Sequence, residues 1–148
     1  MKKRSAAIVT GLVLAFALVP FTYPNSPDWT VTVVDDQDHP MPGMTVRLTY
    51  QNYSVENESH QMDRITDQQG QVRFPAQTIR ASLLRRCYYS VLSARAGIHA
   101  SFGPSASVFA FGQGMEGSDV DRKRDILVIW TGAPSRMQSR IVVNRRRN

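Results

Sequence analysis

The sequence predicts a mainly β domain, a sandwich of seven or eight short strands crossed by one long helix at about 78–96. Three observations predict it. Apolar and polar residues alternate in several short runs rich in Val, Thr and Tyr. Clusters of Gly, Pro, Asp and Asn separate those runs at regular spacing. One segment alone changes to a helical period.

The first element is a leader, residues 1–24. "MKKR" supplies three positive charges, and Ser5–Phe21 carries none. A basic start followed by an apolar stretch is the layout of an export signal. Ala15-Phe16-Ala17 offers the small-x-small pattern of a cleavage site, with Ala6–Leu14 as the apolar centre. The apolar run continues through Leu18–Phe21, so a retained membrane anchor through residues 5–21 stands beside a cleaved signal peptide. Either outcome puts the rest of the chain outside the cytoplasm: periplasmic, secreted or anchored.

Residues 25–28 are expected as a linker, and 29–143 as the folded domain. "WTVTVVD" places Trp29, Val31 and Val33 on one face and Thr30 and Thr32 on the other. "DQDHPMPG" has turn chemistry throughout. "MTVRLTY" then alternates Met44, Val46, Leu48 and Tyr50 inward with Thr45, Arg47 and Thr49 outward. "QNYSVENESH", Gln51–His60, is expected as a surface loop or weak edge. "QMDRIT" and "QVRFP" form a hairpin through Asp67-Gln68-Gln69-Gly70, where Asp accepts backbone N–H groups and Gly takes positive φ.

Beyond Pro75, Ile79, Leu83, Leu84, Cys87, Tyr88, Val91 and Leu92 fall on one helical stripe. Thr78 is the expected N-cap and Gly97 the expected stop. A stripe so apolar is expected to lie against the sheets, which makes Cys87 a buried small hydrophobe. Strands resume with "IHASF" and "SVFAFG". "DILVIWTG", Asp125–Gly132, reads as a central strand buried on both faces, and "SRIVV" as a closing strand. Residues 144–148, "NRRRN", read as a solvated basic tail.

"VTVVDDQDHPMPGMTVRLT…ITDQQGQVRFP" resembles the first half of a carboxypeptidase regulatory-like domain, over roughly residues 29–75. The matching positions are Val33, Asp35, Pro42, Gly43, Val46, Leu48, Thr66, Asp67, Gly70, Val72 and Phe74. The resemblance implies an immunoglobulin-like or transthyretin-like sandwich and an accessory, non-catalytic role. It supplies no catalytic residue, and the second half of the chain departs from it.

The chain of 148 residues has 18 basic and 12 acidic residues; without Lys2, Lys3 and Arg4 the balance falls to +3. That mild charge, without base-reading or base-stacking motifs, argues against nucleic acid as a partner. A single cysteine excludes an internal disulfide. His39, His60 and His99 lack the spacing of a metal site. His99 with Ser101, Ser105 or Ser107 could be drawn as a hydrolase constellation, but "GPSAS" lacks the second glycine of a nucleophile elbow.

In the 113–125 loop, Glu116, Asp119, Asp121 and Asp125 are hard oxygen ligands of the kind calcium takes, though Arg122, Lys123 and Arg124 offset their charge. Asn52-Tyr53-Ser54 and Asn57-Glu58-Ser59 match glycosylation acceptors. The sequence therefore predicts an exported, non-enzymatic β-sandwich module without a cofactor, partnered by another envelope protein or a surface polymer. The alternatives are a glycan-, peptide- or calcium-binding protein using the 113–125 loop, and a small serine hydrolase.

Overall fold

A computed structural model describes residues 2–121 and 126–145. Among the described residues the fold is mainly β, with two α-helices. A three-stranded sheet centres on β2 (Asp28–Val34). β11 (Arg136–Val142) runs parallel to it on one side, and β5 (Gln71–Phe74) antiparallel on the other. A five-stranded antiparallel sheet has the order β12 (Asn144–Arg145), β8 (Met115–Ser118), β7 (Pro104–Gly112), β3 (Thr45–Asn52), β4 (His60–Ile65).

The alternating faces of the two sheets feed one core. Trp29, Val31, Val33, Phe74 and Ile141 from the smaller sheet meet Val46, Leu48, Ala106, Val108 and Ala110 from the larger one. These inward positions of β2 and β3 are those the period-2 pattern predicts.

The two strands expected as a hairpin do not pair with each other: β4 joins β3 and β5 joins β2, so the turn between them links the two sheets. Asp67 Oδ1 accepts from the N–H groups of Gln69 (3.0 Å) and Gln71 (2.8 Å), closing the turn into β5. Gly70 adopts φ +69°, and its carbonyl accepts from Val33 N at 2.8 Å. Thr66 Oγ1 donates to the Met41 carbonyl (2.7 Å) and accepts from Met44 N (3.0 Å), tying the 35–44 loop to the end of β4.

Several segments differ from expectation. The proline-containing stretch read as leader end and linker forms β1 (Pro20–Ser26). It pairs with β6 (Gln77–Ser82), which occupies the first part of the expected helix. In a two-stranded ribbon each strand has a free edge, so the missing N–H groups of Pro20 and Pro24 are tolerated. The helix is therefore shorter, α2 (Leu83–Ala94), and its cap is Ser82 rather than Thr78: Ser82 Oγ accepts from Arg85 N at 3.2 Å.

Its stripe also faces the other way. α2 has no buried residue; Leu84, Tyr88 and Val91 are each more than half exposed, and Cys87 is exposed. The contacts that seat the helix are polar. Arg85 Nε donates to the Val55 carbonyl (2.8 Å), Ser93 Oγ donates to the Tyr53 carbonyl (3.1 Å), and the Arg86 guanidinium lies 5.0 Å from the Tyr23 ring centroid. The expected lid over the core is thus corrected: the sheets close their own core and α2 sits outside it.

"IHASF" is a 3-10 turn (Gly97–His99) followed by irregular chain, with Ile98 and Phe102 exposed. "DILVIWTG" is not a central strand. Ile126–Leu127 (β10) pairs only with Val120–Asp121 (β9), outside both sheets, and of the described part only Trp130 is buried. The segment "QNYSVENESH" is inward in its first part, where Asn52, Ser54, Val55 and Glu56 are buried, and exposed at Asn57, Glu58 and Ser59. The leader forms α1 (Lys2–Leu18), with Ile8, Leu12 and Phe16 exposed. Among the described residues no helix is long and apolar enough to cross a membrane. Of the expected tail, Asn144 and Arg145 pair with β8, and residues 146–148 lie outside the described residues.

A methyl group at Gly70 would stand 2.6 Å from the Val33 carbonyl oxygen and 2.9 Å from Met41 N, at a φ that L residues rarely adopt. Gly70→Ala is expected to cost about 2 kcal/mol or more, from strain and the forced separation of β2 from the turn. A urea titration reads this as a lower midpoint with an unchanged slope.

Candidate functional site

The buried part of 51–60 surrounds one carboxylate. Glu56 Oε1 accepts from the Asn25 side-chain amide and the Asn52 backbone N–H, each at 3.1 Å. Glu56 Oε2 lies 2.8 Å from His60 Nε2, which carries the proton in the tautomer that matches a carboxylate. The His60 ring stacks on Tyr50, centroids 5.3 Å apart. Asn52 Nδ2 donates to the Pro24 carbonyl at 3.0 Å, and the Asn52 carbonyl accepts from Val55 N and Glu56 N. A buried carboxylate persists only when its oxygens are well supplied with donors, and here three are supplied without a guanidinium.

Asn25 reaches Glu56 because it is the extra residue of a β-bulge. Pro24 pairs with Thr78 and Ser26 with Gln77, leaving Asn25 unmatched between them. Its amide nitrogen must face the carboxylate, so Oδ1 faces away, and Oδ1 is a buried acceptor with no donor. The neighbouring Ser26 Oγ is buried and unpartnered too. Asn25, Tyr50, Glu56, His60, Gln77, Thr78 and Ile79 line an open recess of about 210 Å3 at this place. The recess offers the Tyr50 ring, one half-exposed imidazole and the polar side chains of Gln77 and Thr78, suited to a ligand that pairs a flat face with hydrogen-bonding groups.

The residues singled out by sequence fall elsewhere or take other roles. His60 enters the recess, although its partner is Glu56 rather than a metal-binding neighbour. His39 is exposed, its Nδ1 3.2 Å from Asp35 Oδ2. The backbone N–H of His39, with its ring and the Gln37 N–H, holds the Asp35 carboxyl below its ordinary value, the chemistry of a turn. His99 is exposed on the 3-10 turn, while Ser105 and Ser107 lie within β7 opposite Gln51 and Thr49. No hydrogen bond joins His99 to a serine among the described residues.

The 113–125 segment is mostly a hairpin. Gln113 and Gly114 make the turn at positive φ, and Met115–Ser118 continues as β8. Asp119 is buried and accepts from the Ser139 hydroxyl, which in turn accepts from Trp29 Nε1 at 2.8 Å. Burial pushes its carboxyl above the ordinary value, against the lowering effect of the Ser139 bond. Asp119 thus belongs to an inward network. Arg122–Asp125 lie outside the described residues, and no cluster of three candidate metal ligands occurs among those described. Asn52 is buried and hydrogen-bonded, which closes it to a glycan; Asn57 is exposed.

The Glu56 cluster was invisible in the sequence because Asn25 stood in an apparent linker and Glu56 in an apparent surface loop. The only available signal was the i, i+4 pair Glu56 and His60. No family model matches the chain, and no curated protein or solved structure does.

Glu56→Ala leaves the Asn25 amide, the Asn52 N–H and the His60 imidazole without their acceptor. A loss of about 2–4 kcal/mol is expected in a chemical denaturation, with Glu56→Gln costing less. At Asp119 the sign differs. Its carboxyl is raised in the folded chain, so the protonated form is favoured there. That contribution is complete below the unfolded pKa and is lost as pH rises through the folded one. Asp119→Asn, which cannot ionise, should therefore gain stability relative to the native chain at neutral pH, the gap closing as denaturation is repeated at lower pH.

Proposed function

We propose that the chain is an exported, non-enzymatic β-sandwich module of the cell envelope that works by binding. The observation that carries this reading is the Asn25–Glu56–His60 recess. Its acidic group is engaged in holding the frame, no serine or cysteine lines it, and its lining combines the Tyr50 ring and the half-exposed His60 imidazole with the polar side chains of Gln77 and Thr78.

Its volume lies below the ~300–1,000 Å3 of sites that enclose a whole small molecule. It suits one ring or one side chain projecting from something larger: a unit of a surface polymer, or a residue of another envelope protein. The basic start and apolar body of α1 support export. Two sheets sharing one core support an immunoglobulin-like or transthyretin-like sandwich. The Asp67–Gly70 turn and the Pro42-Gly43 loop are consistent with the resemblance to carboxypeptidase regulatory-like domains over 29–75.

Thermal unfolding of the full chain with envelope glycan fragments, short peptides and calcium tests this. A saturating ligand should raise the melting temperature by about 5 °C or more, and Asn25→Ala should abolish most of the rise. No shift with any of these classes, or a shift indifferent to Asn25→Ala, would remove the recess as the binding site.

A further inference from the structure

The outward stripe of α2 is the largest feature that neither the core nor the recess explains. A soluble amphipathic helix turns its apolar residues to the body and its charges to water. α2 does not: Leu84, Tyr88 and Val91 stand in solvent, while the side that touches the body does so through Ser93 and through Arg85 and Arg86, which are themselves exposed. Just beyond the helix, Ile98 is 96% exposed and Phe102 57%. Isolated apolar residues on a surface are ordinary, but a continuous helical stripe extended by two more large side chains is not.

Charge and topology identify what covers it. From Gln68 to Met115 the sequence contains no Asp or Glu, while Arg73, Arg80, Arg85, Arg86 and Arg95 lie within that span. Among the described residues none of Arg80, Arg85, Arg86 and Arg95 pairs with a carboxylate. The ribbon then fixes where this face sits. Pro20 pairs with Ser82, so α1, ending at Leu18, and α2, beginning at Leu83, leave the same end of the β1–β6 ribbon side by side. A membrane that held the leader would therefore lie at the start of α2.

We infer that α2, with Ile98 and Phe102, is an interfacial helix that lies in the surface of an anionic lipid bilayer. Leu84, Tyr88 and Val91 enter the boundary between headgroups and acyl chains. Arg80 and Arg95, exposed near its two ends, meet lipid phosphates. The polar contacts to Val55 and Tyr53 keep the sheets upright on the membrane. Removal of the leader leaves this contact in place, so the module stays at the bilayer surface. The inference does not depend on the recess or on its ligand.

The single native cysteine, Cys87, stands on the exposed stripe and serves as the probe. The full chain is labelled there with an environment-sensitive fluorophore and reconstituted into vesicles of neutral phosphatidylcholine or with added phosphatidylglycerol. Depth is read by quenching from lipids spin-labelled along their chains. The expected result is shallow burial, ~5–10 Å below the surface, in anionic vesicles and much less in neutral ones. Arg95→Glu should lower the buried fraction roughly fivefold or more, and Leu84→Ser with Val91→Ser should abolish it while α1 keeps the protein on the vesicles. A label at Gln69→Cys in a Cys87→Ser background should remain in water throughout. A Cys87 label equally accessible to water in both vesicle types overturns the inference. So does protection that follows protein concentration and ignores lipid charge, which would assign the stripe to a second copy of the chain.

Discussion

The Glu56 carboxylate is the constraint that ties the β1–β6 ribbon, and α2 after it, to the main sheet. A charge that is nine-tenths buried can persist only if every element around it supplies a donor. β1 supplies the Asn25 amide, the end of β3 supplies the Asn52 N–H, and the start of β4 supplies His60. None of these three can move without leaving a buried polar group unpaired. The bulge at Asn25 is what lets a strand with two prolines present an amide at the required place. A peripheral ribbon is thereby locked to the end of the main sheet by hydrogen bonds, where its own apolar burial is slight: of the β6 side chains only Ala81 is buried.

That lock explains how a helix can be held with its apolar side outward. α2 continues directly from β6, so the position of Ser82 is fixed by the ribbon before the helix begins. Only its rotation remains to be set. The carbonyls of Val55 and Tyr53, in the same loop that Glu56 organises, accept from Arg85 and Ser93 and select the polar face. Each such bond contributes about 1 kcal/mol, less than burial of Leu84, Tyr88 and Val91 would. The outward stripe is thus the weaker choice for the isolated chain in water. It becomes the stronger one against an apolar phase.

Legibility followed the range of the determining interaction. β2, β3, β5 and β7 were readable because one face of each is buried, while β11, in which only Ile141 is buried, was read only from Ser139 onward. The Asp67–Gly70 turn was readable because its bonds close within five residues. β1 and β6 were not, because each is a strand only through the other, about 60 residues away in the chain, and their short repeats carry prolines or overlap a helical stripe. The helical period of 83–94 was correct as to helix, yet the inference that its stripe faces the sheets was wrong. Periodicity states that one side is apolar and does not state which surface that side meets. The same limit applies to Ile126–Ile129, where apolar content suggested burial and the segment lies outside both sheets. Glu56 and Asn25 were beyond reach, since a buried charge in a polar run has the composition of any surface loop.

Among the described residues, the fully buried hydrophobic side chains lie in strands and in the loops between them, and none lies in α2 or in residues 8–18 of α1. This separates stability from attachment. A helix that capped the core could not change its surroundings without exposing that core, whereas α2 can pass from water to a lipid surface with the sheets undisturbed. The recess stands on the opposite requirement, since its frame is the Glu56 lock itself and tolerates little movement. One rigid polar knot therefore serves two surfaces of different kinds. On one side it shapes a small recess beside Tyr50 and His60, and on the other it holds a helix whose apolar stripe, flanked by arginines, faces away from the body.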